Sequence, residues 1–207
     1  MNFRIRILSA LLLAGLASAA IIGCGDDDSS PTNPGNGNNE NMPLAIGNYW
    51  VMNNRAYTSN VLDSTYVDTF KIDTSYTANG KTWFGNKADS SFIRTGADGV
   101  YELVDFGEGS MTEVLIYKPT AHVGDKWYYP IGSDSMEIEC RSISETAVTP
   151  AGTFTGCHRY LWTAMEGAFT TDMTIKAGVG PVKLIATSSF FGIAGRSESD
   201  LKSYHIQ

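Results

Sequence analysis

The sequence predicts an all-β protein, an antiparallel meander forming a curled sheet, an open barrel or a sandwich. Three observations carry this. From about Leu44 onward Thr, Ser, Tyr, Val and Ile dominate, and Gly, Asn and Asp interrupt them every eight to fifteen residues. That is the spacing of short strands joined by turns. Several segments alternate apolar and polar residues with period two, the mark of strands with one wet face. No segment holds an apolar period of 3.6 over twelve residues, so helices are not expected.

The chain starts with a different texture. Arg4 and Arg6 give a positive start, and Ile7 to Ile22 carry no charge and are mostly Leu, Ala and Ile. This is the n-region and h-region of a secretory signal; a span of about 20 apolar residues also has the length of a transmembrane helix, so the flank arbitrates. The flank reads Ile21-Ile22-Gly23-Cys24. It resembles the lipobox of bacterial lipoproteins: an aliphatic residue, a variable one, a small one, then cysteine. The resemblance implies diacylglycerol on the Cys24 sulfur, cleavage after Gly23 and acylation of the new amino group, with the protein tied to a membrane through Cys24. Two or three acyl chains give stable anchoring where one alone is marginal. Loss of residues 1–23 removes Arg4 and Arg6 and takes the formal net charge from −7 to −9.

Residues 24–43 follow as a linker. Gly25 to Pro43 holds one large apolar side chain, Met42, too little surface to offset the entropy of ordering; a leash with an r.m.s. span of roughly 20–25 Å is expected. Directly behind Cys24 stand Asp26, Asp27 and Asp28. They resemble the acidic export signal of some Bacteroidota-type lipoproteins, which sends them to the outer face of the outer membrane; a plain solvated linker is the alternative.

Residues 44–207 are expected to form a single β domain. Ser64 to Tyr76 puts Tyr66, Phe70, Ile72 and Tyr76 on one parity and Thr65, Thr69, Lys71, Asp73 and Ser75 on the other, and reads as one strand. Ala78-Asn79-Gly80 is a hairpin turn, since Asn-Gly tolerates positive φ, and Lys81 to Lys87 is the return. Ala97-Asp98-Gly99 turns between strands 91–95 and 100–106. Further strands are expected at 111–118, ended by Pro119, at 125–131, and at 136–148. In the last of these the apolar parity jumps from Met136, Ile138 and Cys140 to Ile143 and Ala147, which predicts a bulge near Ser142. Strands at 157–165, 170–175 and 182–187 follow, and 202–206 would add a final edge.

Pro150-Ala151-Gly152-Thr153-Phe154, Cys157 and Gly178-Val179-Gly180-Pro181-Val182-Lys183 resemble a pattern in secreted bacterial proteins labelled TapB-like. Leu44 to Trp50 and Val123-Gly124-Asp125-Lys126-Trp127 are similar to their earlier recurrent pieces. The resemblance implies an antiparallel β domain and brings no assigned activity, cofactor or catalytic residue.

Known catalytic and metal signatures are missing from the sequence: no His-Glu-x-x-His, Cys-x-x-Cys or Gly-x-Ser-x-Gly. His122, His158 and His205 are scattered, without a partner at ligand spacing, and no metal or cofactor is expected. Asn79-Gly80-Lys81-Thr82 imitates the end of a P-loop, but Ser75 stands where its first glycine belongs and a strand follows. Gly178-Val179-Gly180 precedes Pro181 in a β context and offers no helix N-terminus to a pyrophosphate. Cys157 and His158 are neighbours on a strand and point to opposite faces. Once Cys24 is acylated, Cys140 and Cys157 remain, flanking the turn at 149–154 in an oxidising compartment. A disulfide across that hairpin is expected, against the alternative of two buried thiols.

The acidic balance argues against nucleic acid and against electrostatic docking on anionic lipid. Four tryptophans and ten tyrosines fill a β core or, alternatively, form an aromatic platform or cavity for glycans or lipids. The expected function is therefore a non-enzymatic, membrane-anchored envelope lipoprotein whose β domain is an interaction module of unassigned molecular activity, with an envelope protein as one candidate partner. Its alternative is a carrier or receptor for a hydrophobic or glycan ligand. A hydrolase using Asp105, Glu108 or Glu113 is the least supported, because their spacing matches that of solvated strand residues. The location expected is the outer membrane, with exposure at the cell surface left open.

Overall fold

The structure, a computed structural model, describes residues 42–88, 91–105, 111–131 and 134–207, with Asp105 described in its backbone only. Cys24 and the acidic run Asp26, Asp27 and Asp28 lie outside the described residues, as does Glu108. The strands are β1 (Tyr49–Thr58), β2 (Val61–Lys71), β3 (Thr74–Ala78), β4 (Lys81–Asn86), β5 (Ser91–Thr95), β6 (Val100–Asp105), β7 (Met111–Tyr117), β8 (Lys126–Ile131), β9 (Asp134–Thr149), β10 (Gly152–Ala164), β11 (Phe169–Lys176), β12 (Gly180–Phe190) and β13 (Ile193–His205). Among the described residues the one helical element is a 3-10 turn at Met165–Gly167. The all-β class holds.

Two antiparallel sheets form, and neither closes into a barrel. The larger has eight strands in the order β2-β1-β13-β12-β11-β10-β9-β8; the smaller is a five-stranded meander, β3-β4-β5-β6-β7. The core lies between them. The large sheet contributes Trp50, Met52, Ile138, Tyr160, Trp162, Val182 and Leu201, and the small one Ile93, Val100, Val114 and Tyr117. Hydrogen bonds bridge the two: Tyr160 Oη donates to the Lys118 carbonyl at 2.9 Å and Trp127 Nε1 to the Leu115 carbonyl at 3.0 Å.

Three expectations need correcting. The single strand expected from Ser64 to Tyr76 is two, because the chain changes sheet within it. At the crossing Ile72 is fully buried; its N–H donates to the Asn48 carbonyl, and the Asp73 N–H to that of Gly85. Alternation continues across the break, since Ile72 plugs the core between the sheets rather than lying on either. The C-terminal strand is no edge: β13 pairs with β1 on one side and β12 on the other. Its centre escapes hydrophobic periodicity because Ser197 and Ser199 occupy the face of Leu201. Buried Ser199 donates to Asn54 Oδ1 at 2.5 Å across the strand pair, where an apolar contact would otherwise be expected.

The third correction concerns the cysteines. Cys140 and Cys157 are free, buried thiols. The hairpin turns at Pro150–Ala151, two residues beyond their midpoint, so Cys140 lies opposite Tyr160 and Cys157 opposite Glu145. Tyr160 stands three positions from Cys157, about 10 Å along a strand, beyond the ~7 Å Cα limit for a disulfide. Each sulfur instead donates to a nearby carbonyl, Cys140 to Ser142 and Cys157 to Phe154, and burial pushes both thiols up in pKa. The bulge expected near Ser142 is present: Arg141 is the extra residue between the pairs Arg159↔Ser142 and Tyr160↔Cys140. Ala147 turns inward beyond it, whereas Ile143 is exposed. Further irregularities in β10 put Cys157 and Tyr160 on the same buried side despite their opposite parity.

Candidate functional site

The residues singled out in the sequence do not converge. His122 is exposed beside Asp125, with 3.7 Å between Nδ1 and the carboxylate. His158 Nδ1 lies 2.9 Å from Tyr160 Oη, and His205 stacks on Tyr49 at 5.6 Å between centroids. Among the described residues no three His, Cys, Asp or Glu side chains gather as a metal would require. Glu113 is held by Lys81 at 2.7 Å and Arg94 at 2.5 Å, which lower its pKa. The aromatic load is largely packing. Trp50, Trp83 and Trp162 are buried, and Tyr117, Tyr160 and Trp127 meet edge to face. Trp83 lies under Arg94, whose guanidinium carbon sits 5.2 Å from its ring and 4.2 Å from that of Tyr101. A shallow surface depression is lined by Gly47, Tyr49, Val51, Thr69, Lys71 and His205.

Two features were not anticipated from the sequence. The first is a carboxyl group inside the sandwich. Glu102 on β6 is 3 % exposed and receives a hydrogen bond from Tyr129 Oη on β8 at 3.2 Å. Burial disfavours the charged form and pushes its pKa up to about 7, with the tyrosine bond opposing the shift. Only the strand pairing reveals this: Glu102 lies between Ile93 and Val114, on the core-facing side of its strand.

The second is a rim of exposed apolar side chains. Three hairpins, β1–β2, β12–β13 and β10–β11, turn at the same end of the large sheet and are consecutive in its order. The Ser59 N–H donates to the Ala194 carbonyl at 2.7 Å and the Ser189 N–H to that of Ala168 at 2.8 Å, so the tips adjoin. They carry Val61 (66 % exposed), Leu62 (50 %), Met165 (56 %), Phe190 (45 %), Phe191 (104 %) and Ile193 (60 %). Scattered exposed apolar residues are ordinary on a protein surface; a contiguous group is not. Phe191 also sits at φ 51, a conformation rare for a bulky L-residue, ahead of Gly192 at φ 79. The turn thus holds its largest side chain outward in a strained conformation. A sequence signal existed in Phe190-Phe191-Gly192-Ile193, but it becomes legible only once the segment is recognised as a hairpin tip.

No family model and no curated protein match the chain, so the TapB-like resemblance rests on the short segments quoted for it. Two solved structures are similar in fold. One is a candidate exported protein of Bacteroides fragilis with a YmcC-like fold, 14 % identical, covering 79 % of this chain and 98 % of its own, at a TM-score of 0.45. The other is a candidate lipoprotein from Parabacteroides distasonis, 13 % identical, covering 79 % of this chain and 97 % of its own, at a TM-score of 0.35. Neither likeness bears on activity.

Proposed function

We propose that this chain is a lipid-anchored protein of the bacterial envelope whose β domain works by contact rather than by catalysis. The observation that carries the reading is the rim: six large apolar side chains exposed on three adjoining hairpin tips. The signal-like start and Ile21-Ile22-Gly23-Cys24 support the anchor, and Asp26-Asp27-Asp28 support sorting to the outer face of the outer membrane. Replacing Cys24 with Ala should leave unprocessed precursor that takes up no palmitate, while the unaltered protein is labelled and partitions into detergent. Normal processing of the Cys24→Ala chain sinks the anchor. Replacing Asp26, Asp27 and Asp28 together with Ala should leave lipidation intact and remove the protein from protease-accessible surface; unchanged accessibility makes the run plain linker.

A further inference from the structure

We infer that the rim enters the lipid of the same membrane that holds the Cys24 anchor, so that the domain touches its membrane at two places. This rests on the lipid-anchor reading above and adds an orientation to it. The rim's form favours lipid over a protein partner. Its six side chains stand on three separate turns rather than on one flat face, and stable protein contacts bury about 800 Å² on each partner. Phe191 projects with full exposure from a turn held at positive φ, which suits a side chain that inserts singly between acyl chains.

Charge agrees. Asp63, at the β1–β2 tip, accepts a hydrogen bond from Thr58 Oγ1 at 2.6 Å, and Arg196 pairs with Glu198 and lies over the Tyr57 ring at 5.6 Å. Glu166 completes the charged groups at the three turns. No lysine stands there, so binding would be apolar and would gain nothing from anionic lipid, in keeping with the acidic chain.

The tether allows this orientation. Met42 packs beside Trp50 and Gly180, at the opposite end of the sheet from the rim. The strand β12 that separates the two ends has 11 residues and rises about 35 Å. The 18 steps of chain from Cys24 to Met42 span at most about 60 Å. That covers the return along the sheet with length to spare.

The test uses the mature lipidated chain in phosphatidylcholine vesicles, labelled with an environment-sensitive fluorophore at Phe191→Cys or at Val148→Cys. Val148 is 69 % exposed beside the turn at the tied end, and Cys140 and Cys157 are buried. The label at 191 should shift to the blue and be quenched several-fold more by a lipid-borne quencher than the label at 148. Equal quenching at both sites, with acylated protein still on the vesicles, overturns the inference and leaves the anchor standing. A shift at 191 that needs no vesicles and grows with protein concentration overturns it in favour of self-association. If Cys24 carries no acyl mass, the anchor reading fails, and the rim is then judged by co-sedimentation of the unlipidated chain. There the double variant Phe191→Ser, Ile193→Ser, shown folded by circular dichroism, should partition about tenfold less; equal partitioning overturns the inference.

Discussion

The two ends of the large sheet are built from the same antiparallel hairpins and finished in opposite ways. At the end that receives both described termini, polar and aromatic groups are tied down. Trp50 Nε1 donates to the Val179 carbonyl at 2.6 Å, Asn48 Nδ2 to that of Pro43 at 3.2 Å, and the Gln207 N–H to Asn48 Oδ1 at 3.0 Å. Gly180, at φ +111, leaves room for the indole; a Cβ there would stand 3.1 Å from Trp50 Nε1. At the other end the tips carry six exposed apolar side chains that no described residue covers, Phe191 fully exposed among them, where the tied end exposes Ile46 and Val148 singly. Hydrogen-bonded closure is what a stable fold needs at a sheet end. The open apolar end contributes little to the fold, so its composition is better explained by what it meets outside the molecule.

The contrast breaks most visibly at Trp50. Truncation to Ala removes a side chain that is 2 % exposed, packs on Phe70 at 5.6 Å and closes the β11–β12 turn. The expected cost is about 3–5 kcal/mol in urea unfolding. A loss below about 1 kcal/mol would mean that the tied end is not holding the fold.

Glu102 sharpens the picture from inside. Its folded-state pKa of about 7 lies above the ordinary 4.5, so the native protein binds this proton more tightly than the unfolded chain does. Its contribution is full below about pH 4.5, declines as pH rises through the window and is lost above about 7. Glu102→Gln should remove that slope and stabilise the protein at pH 8 by about 2–3 kcal/mol, with little change at pH 4. Unfolding curves at the two pH values decide it; an equal effect at both would mean that the carboxyl does not titrate in this range.

A smaller effect belongs to Asn48. Fully buried, it holds the segment before β1, at Pro43, and Gln207 through one amide. Asn48→Ala should cost about 1–3 kcal/mol by leaving buried groups unpaired, and hydrogen exchange should quicken at Gln207. Unchanged exchange there would cut the proposed link between the termini.

How much of this the sequence disclosed follows from what periodicity can register. Ser91–Thr95 is recovered residue for residue, and Asn79-Gly80 turns at φ 52 and 72 as its chemistry requires. Both depend on local geometry alone. The middle of β13 is invisible to the same test because Asn54 and Ser199 satisfy each other inside the sheet. The cysteine register failed by the position of one turn, and spacing on either side of a turn does not report which residues form its centre. The rim escapes hydrophobic periodicity for a related reason. Its six residues lie on different hairpins, and only the sheet order brings them to one edge.

The smallest effect is expected at Phe191, and its smallness is what makes it informative. A phenylalanine at φ 51 bears roughly 1–2 kcal/mol of left-handed strain, and its fully exposed ring has no packing to lose. Phe191→Asn fits the left-handed turn ahead of Gly192 without the conformational freedom that glycine would add to the unfolded chain. Stability should stay level or rise by about 0.5–1 kcal/mol, read as a urea midpoint at or above that of the parent, while vesicle engagement by the rim falls. Removing a strained residue that serves only contact leaves the fold at least as stable and weakens the contact. A loss of unfolding free energy greater than about 1 kcal/mol would show Phe191 packing on the domain, and the distinction between a tied end and an open one would then fail where it is sharpest.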